Sequence, residues 1–461
     1  MNERRAWVRL DNASNIFLAS MSSVDTKVFR LSAQLDHDID PELLQQALDV
    51  VFDQYVLYHS VLRRGVFWYY LEESDLRPQV MPETLPPCAH LYRFDRRDLL
   101  FRVLYHGPRL SLEVLHVLTD GTGASWVLQD LVAEYLRLKF PDEARRAAEP
   151  PGVKQGLVPD SFTQFHPRLP QQFAEAAQAA PLGASDQVED ATGGGRPPGL
   201  ARELFGSRKR RVHRVRGTLT PDHRNRVVEL AMPVSQVLPI AREHGVSLTV
   251  LLTALFLHAV REVDGDSAKG HTMAISVPVD LRQRFASESG RNFFATTRLE
   301  FNEDEADFAQ MCTALAGQLK LQTTPAALES KLRKFIGFEH LWVARVLPRP
   351  VKDVILGVAN WLNSRQLTVA MTNVGRLDFA EDINQHVQAV FIAVSTPHPQ
   401  FSMISHGDVL TVSFTSAFVE TAHQAAFVRG LTGRGVDVRV AASKVNEDEL
   451  AASGASSGGR P

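Results

Sequence analysis

Two cysteines in 461 residues, Cys88 and Cys312, leave this chain without the means for a disulfide framework or a thiolate metal cluster. They are far apart and fall in no metal or redox spacing, a usage that suits a reducing, cytoplasmic setting. Charge of one sign is equally scarce. Fifty Lys and Arg stand against 53 Asp and Glu, a net charge of −3, so the whole chain offers no strong field for nucleic acid. Long hydrophobic runs are missing too. The most apolar stretch, 246–260, is interrupted by Ser247, Thr249, Thr253 and His258 and is too short to span a bilayer; it reads as a buried helix. The N-terminal Met-Asn-Glu-Arg-Arg-Ala-Trp lacks the apolar core of a signal peptide, and no internal repeat is evident. What is present, 44% apolar and 22% charged residues, suits an ordinary globular protein long enough for two or three domains with cores.

Residues 28–35 alternate strictly and predict a strand. Asp40-Pro41-Glu42 predicts a capped helix start, with Leu43, Leu44, Ala47, Leu48, Val51 and Phe52 on the buried face. Residues 62–72 read as one more strand. Strands near 100–106 and 110–117 are joined by a Gly107-Pro108 hairpin signal, and a helix follows that stops before Pro141. These form a first α/β unit, 1–145. The pattern then dissolves through 146–222, where Pro150-Pro151-Gly152 and the Gly- and Pro-rich stretch 190–199 predict a flexible connector. Within it the basic run 208–216 is either a solvated linker or an attractor of cofactor or carrier-protein phosphates. A second unit, 223–450, opens with two helical segments over 234–263, Gly245 ending one and Ser247 capping the next. Strands are expected at 272–279, 292–301, 367–373 and 409–415, and 451–461 is a small, polar, frayed tail.

The chemistry centres on Leu115-His116-Val117-Leu118-Thr119-Asp120-Gly121, an H-x-x-x-D-G string. Period two puts His116 on the face of Leu110, Leu112 and Val114 at the end of a half-buried strand. Val127, Leu128, Leu131, Val132, Tyr135 and Leu138 then follow helical spacing. The histidine therefore sits where a strand gives way to a glycine turn and a helix. Two readings fit the string. Asp120 is a helix cap beside a strand-end histidine, or the pair mounts a general base. A metal site is not expected, because His116 and Asp120 straddle the turn and no third ligand is near. The Gly-x-Ser-x-Gly string at 454–458 has no strand before it, so no nucleophile elbow and no covalent intermediate are expected.

Three further islands, Pro278–Arg282, Arg291–Glu300 and Met371–Leu377, complete an order of motifs that resembles the chloramphenicol-acetyltransferase-like superfamily, which includes condensation domains and H-x-x-x-D acyltransferases. The likeness is greatest to stand-alone bacterial alcohol acetyltransferases and runs from Leu10–Asn15 through 64–72 to the strand near 415. Leu115 stands where the superfamily pattern carries a first histidine, which weakens a condensation-domain assignment. The resemblance implies an α/β (α+β) fold: two similar lobes in a V, mixed sheets with helices packed on them, and an active-site tunnel between. It implies an O-acyltransferase in which His116 acts as general base without an acyl-enzyme, and Asp120 pairs with an arginine, Arg282 first or Arg298 second. Gly121 completes the motif. Gly123 and neighbouring amides, or Asn373, would serve the oxyanion, and Asn292 would line the tunnel. The implied co-substrates are an acyl thioester, acyl-CoA or an acylated carrier protein, and a small alcohol. No permanently bound cofactor, metal or nucleic acid is implied, and the chain is expected to be a monomer. The alternatives are a condensation-type enzyme fed by a carrier protein and a catalytically silent binding module.

Overall fold

The computed structural model describes residues 6–142, 211–221, 224–285, 287, 289–302, 307–340 and 348–443. Most of the connector, the tail and the 454–458 string lie outside them. In chain order the first lobe runs β1 (Trp7–Arg9), α1 (Asn12–Ala19), β2 (Val28–Leu35), α2 (Pro41–Gln54), β3 (Ser60–Arg64), β4 (Tyr69–Glu73), β5 (Val80–Pro82), β6 (Phe101–His106), β7 (Arg109–Leu115) and α3 (Gly121–Lys139). The alternating strand at 28–35 and the Asp40-capped helix stand as the sequence predicts, with the Asp40 carboxylate accepting from the Glu42 and Leu43 N–H groups. β6 and β7 form the expected hairpin, whose Gly107 adopts φ +52°, the left-handed region that favours glycine.

Two expectations change. The single strand over 62–72 is a hairpin, β3 antiparallel to β4, because Gly65 donates its N–H to the Trp68 carbonyl and closes a turn. A Cβ at Gly65 would come within 2.6 Å of that oxygen, so the turn needs glycine. Strand β7 is buried on both faces rather than one. Ser111, Glu113 and Leu115 all lie inside, Ser111 hydrogen-bonded to Ser32 (2.8 Å) and Glu113 met by the segment around Cys88. Glu113 accepts from Arg30 (2.8 Å), Arg102 (2.6 Å) and the Cys88 N–H (2.7 Å).

The second lobe continues β8 (Arg226–Pro233), α4 (Val234–Glu243), α5 (Leu248–Asp264), β9 (Met273–Asp280), β10 (Phe294–Phe301), α6 (Phe308–Gln322), α7 (Pro325–His340) and α8 (Arg349–Ser364). It closes with β11 (Val369–Arg376), β12 (Val387–Val394), β13 (Gln400–His406), β14 (Val409–Ser416), α9 (Ala422–Thr432) and β15 (Arg439–Ala442). Gly245 ends α4 at φ +64°, and the Ser247 hydroxyl caps α5. The sheets are β1-β4-β3, β12-β2-β7-β6-β5 and β10-β9-β11-β13-β14-β8-β15. Two of them are mixed, with β5–β6 parallel in one and β11 parallel to β9 and β13 in the other. Each lobe has its own apolar core, yet β12, late in the chain, pairs antiparallel with β2 and puts Val390 and Ile392 into the first core. The lobes are therefore tied by sheet as well as by loop. The described end of the basic run is tied down as well. Val212 bridges Thr272, His213 is buried against Asp264 (2.6 Å), and Val215 joins the second core. Among the described residues no single helix is long and apolar enough to cross a membrane.

Candidate active site

Strand β7 ends at Leu115, and His116 follows it directly with its N–H donated to the Lys27 carbonyl (2.7 Å). Lys27 reaches this bond from φ +55°, a left-handed conformation that a side-chain-bearing residue holds only when its surroundings impose it. Four residues on, Asp120 caps α3, one carboxylate oxygen accepting the Gly123 N–H at 3.0 Å. The helix-cap reading of Asp120 thus holds geometrically, but it describes only one oxygen.

The other oxygen accepts from the Arg282 guanidinium (2.8 Å) and from the Phe293 N–H (2.8 Å). Arg282 comes from the turn after β9 and also donates to the carbonyls of Ser289 and Arg291 and to Asp280 (3.2 Å). Burial opposes its charge, yet the facing Asp120 and Asp280 carboxylates outweigh that and raise its pKa. Asp120 and Arg282 together fasten the 289–293 loop of the second lobe onto the start of α3. Thr119 adds a bond to the Gly290 carbonyl. Arg298, the other candidate, is engaged elsewhere, with Glu300 (3.0 Å) and Gln366 (2.9 Å).

That loop delivers Asn292 to the imidazole. Asn292 Oδ1 lies 3.1 Å from His116 Nδ1, while its Nδ2 donates to the His116 carbonyl (2.8 Å) and to Ser14 Oγ (3.1 Å). Ser14 in turn donates its hydroxyl to the Val117 carbonyl (2.9 Å). Both amide hydrogens are therefore committed, the Asn292 oxygen must accept, and the neutral imidazole carries its proton on Nδ1. Nε2 is left with its lone pair. Asn292 thus orients the histidine, a role its placement along a tunnel did not suggest.

The ring sits in an apolar frame, with the ring centroids of Phe17, Phe29 and Phe294 at 4.5, 5.1 and 5.8 Å. Desolvation there lowers the pKa of His116. The Asp120 carboxylate and the Asn292 bond pull the other way without reversing it. Ser14 and Phe17 arrive on α1, whose Asp11 cap is pinned by the buried Arg291 (3.4 Å). No period in the sequence marks these α1 residues as site residues, although Ser14 lies inside the Leu10–Asn15 string.

The expected oxyanion donors fare differently. The Gly123 N–H is already given to Asp120, and a Cβ there would overlap Gly290 O and Thr119 Oγ1, so this glycine serves close approach of the loop. Asn373 is exposed, donating to Thr249 (3.0 Å) and accepting from the Gly375 N–H (2.8 Å) at a bulge in β11, so its amide is engaged away from His116. Its neighbour Val374 does approach Gly121, to 3.1 Å from where a Cβ would stand.

No protein-family description and no curated protein sequence matches the chain. Solved structures do. Polyketide synthase associated protein 5 from Mycobacterium tuberculosis aligns over 92% of this chain and 96% of its own, with 14% identity and a TM-score of 0.56. Trichothecene 15-O-acetyltransferase from Fusarium sporotrichioides aligns over 94% and 95%, with 10% identity and a TM-score of 0.59. A starter condensation domain of rhizomide synthetase, in complex with C8-CoA, aligns over 93% and 94%, with 12% identity and a TM-score of 0.58. The chain has the fold shared by condensation domains and chloramphenicol-acetyltransferase-like acyltransferases.

Proposed function

We propose that this protein is an O-acyltransferase that moves an acyl group from a thioester to a hydroxyl acceptor, with His116 as general base. The reading rests chiefly on the imidazole itself: neutral by desolvation, protonated on Nδ1 toward Asn292, and presenting a basic Nε2 where residues of both lobes meet. A thioester carbonyl is already electrophilic, whereas an alcohol is a poor nucleophile at neutral pH. Nε2 takes the hydroxyl proton as the alcohol oxygen bonds to the carbonyl carbon, a contribution of typically ~10²–10⁴-fold. The carbon–sulfur bond then breaks, the departing thiolate recovers the proton from Nε2, and an ester and a free thiol leave. Imidazolium formed in between keeps its Nδ1–H on Asn292. Asp120 and Arg282 act through geometry, holding the loop that holds the imidazole. Backbone amides at the start of α3, Gly121 and Thr122, are the oxyanion donors left after Asp120 takes Gly123, and the acceptor enters between the lobes.

The donor is a CoA thioester in this reading, as the C8-CoA complex of a structural neighbour suggests. Purified protein is incubated with acetyl-CoA and longer acyl-CoAs against a panel of alcohols and amines, with thiol release and product mass as readouts. Ester formation from CoA donors is expected. Turnover only from an acylated carrier protein would favour the condensation-type alternative, and silence with every donor would favour a binding module.

A further inference from the structure

Helix α8 carries Val351, Val354, Ile355, Val358 and Trp361 at helical spacing, one apolar stripe along about three turns. The stripe faces solvent: Val354 is 65% exposed and Trp361 54%. The opposite side of the helix packs on α1, where a Cβ on Gly357 would come within 3.0 Å of the Ala19 carbonyl. Exposed Phe67 in the β3–β4 turn adjoins the patch, because Lys352 donates to its carbonyl (3.0 Å) and the Arg349 N–H to that of Val66 (3.1 Å). Contiguous apolar surface of this kind marks an interaction site.

The rim says what it meets. Arg365 lies over the Trp361 ring at 4.3 Å, and Lys352 and Arg9 lie over Trp68 at 3.4 and 4.3 Å. The helix has one acid, Asp353, and it accepts from the Tyr69 hydroxyl (3.0 Å) beside Arg349 (3.8 Å). The local charge is thus positive on a chain whose net charge is −3. Valine, isoleucine and tryptophan on one face with arginine and lysine at its edge is the pattern of a helix lying in a membrane interface. A second copy fits less well. Two-fold packing of like patches would set the Arg349–Lys352 end of one helix near Arg365 of the other, cation against cation.

We infer that this face docks on an anionic lipid surface, the stripe entering the acyl-chain boundary and Arg349, Lys352 and Arg365 meeting lipid phosphates. The docked helix packs on α1, whose Phe17 ring is 4.5 Å from that of His116, so a lipid-borne substrate would be received one helix away from the base. Docking itself does not depend on the acyl-transfer reading.

The test is co-sedimentation of the full chain with phosphatidylcholine–phosphatidylglycerol vesicles and with phosphatidylcholine vesicles alone, at low and high salt. Wild type is expected to pellet with the anionic vesicles, less with the neutral ones and less at high salt. The double variant Val354→Glu, Val358→Glu should bind about tenfold more weakly or worse, and Lys352→Ala about fivefold more weakly, near the surface worth of one basic residue. Both Val positions are exposed, so circular dichroism and thermal midpoint should be unchanged. Absence of pelleting by wild type, or equal pelleting by the double variant, overturns the inference. So does a wild-type dimer in light scattering that the double variant converts to monomer, which would make the face an interface between copies. Pelleting requires no turnover, so its failure leaves the His116 reading untouched and is distinguishable from failure of that reading.

Discussion

Replacing Asn292 with alanine separates an orienting residue from one that merely lines the site. The truncation removes three bonds at once: the acceptor for His116 Nδ1 (3.1 Å) and the donors to the His116 carbonyl (2.8 Å) and Ser14 Oγ (3.1 Å). Ser14 keeps its bond to Val117. Two groups, Nδ1–H and the His116 carbonyl, are left short of partners in a desolvated place, at about 1–3 kcal/mol each. A stability loss of roughly 2–6 kcal/mol follows. The catalytic loss has a different origin. Without an acceptor at Nδ1 the ring is free to turn or to carry its proton on Nε2, where it is no base. In serine-protease triads, holding the wrong tautomer costs about 10⁴-fold. Here kcat is expected to fall between about 10² and 10⁴-fold, the range of a general base, with KM little changed. Asn292→Asp should recover part of kcat, since a carboxylate oxygen still accepts from Nδ1. It should also move the ascending, acid-side limb of the pH profile to higher pH, because a negative charge beside the ring favours imidazolium. Steady-state kinetics and nitrogen-15 NMR of the histidine tautomer are the assays. An alanine variant with wild-type kcat, or a wild-type resonance showing Nδ1 unprotonated, would refute the reasoning.

Asp120→Asn keeps the helix cap but turns an amide toward the Arg282 and Phe293 donors. Breaking this buried pair should cost about 3–5 kcal/mol, read as a fall in thermal midpoint, with kcat lowered as the 289–293 loop loosens; lost turnover at an unchanged midpoint would argue for direct chemistry instead. Gly123→Ala should cost about 1–3 kcal/mol and lower activity, because the new Cβ collides with Gly290 and Thr119; an unperturbed variant would mean the loop is not seated there. The pH dependence follows from the lowered pKa of His116. With the neutral ring as the proposed base, kcat/KM should rise with pH about a midpoint below the ordinary histidine value of about 6.5. Stability should fall as pH drops below that value, because the unfolded chain binds a proton the buried ring resists. A rate limb centred above 6.5 would contradict the desolvated site.

His116 was legible because period two, a glycine turn and a helical period meet within a few residues, and Asp120 because a cap residue before glycines has few other uses. Arg282 and Arg298 could not be told apart by spacing. Both follow or lie in strands of the second lobe, and only the fold shows one turned to Asp120 and the other to Glu300. Asn292 stood out as part of an aromatic–polar island, but its role depends on a contact with a residue 176 positions away, which no local period carries. The same limit hid Ser14 and Phe17. Strand β12, Val387–Val394, is a nearly continuous apolar run, so it lacks alternation, and its place beside β2 rather than in its own lobe is a long-range pairing. The basic run reads as a linker by charge count, while the alternation of buried His213 and Val215 about exposed Arg214 is what ties down its described end.

Thiol release from an acyl-CoA, followed with and without a hydroxyl acceptor for wild type and for His116→Ala, tests the central claim most directly. The account predicts acceptor-dependent release by wild type, its loss by about 10²-fold or more in the variant, and an unchanged circular dichroism spectrum. Acceptor-dependent release at the wild-type rate in His116→Ala would contradict it.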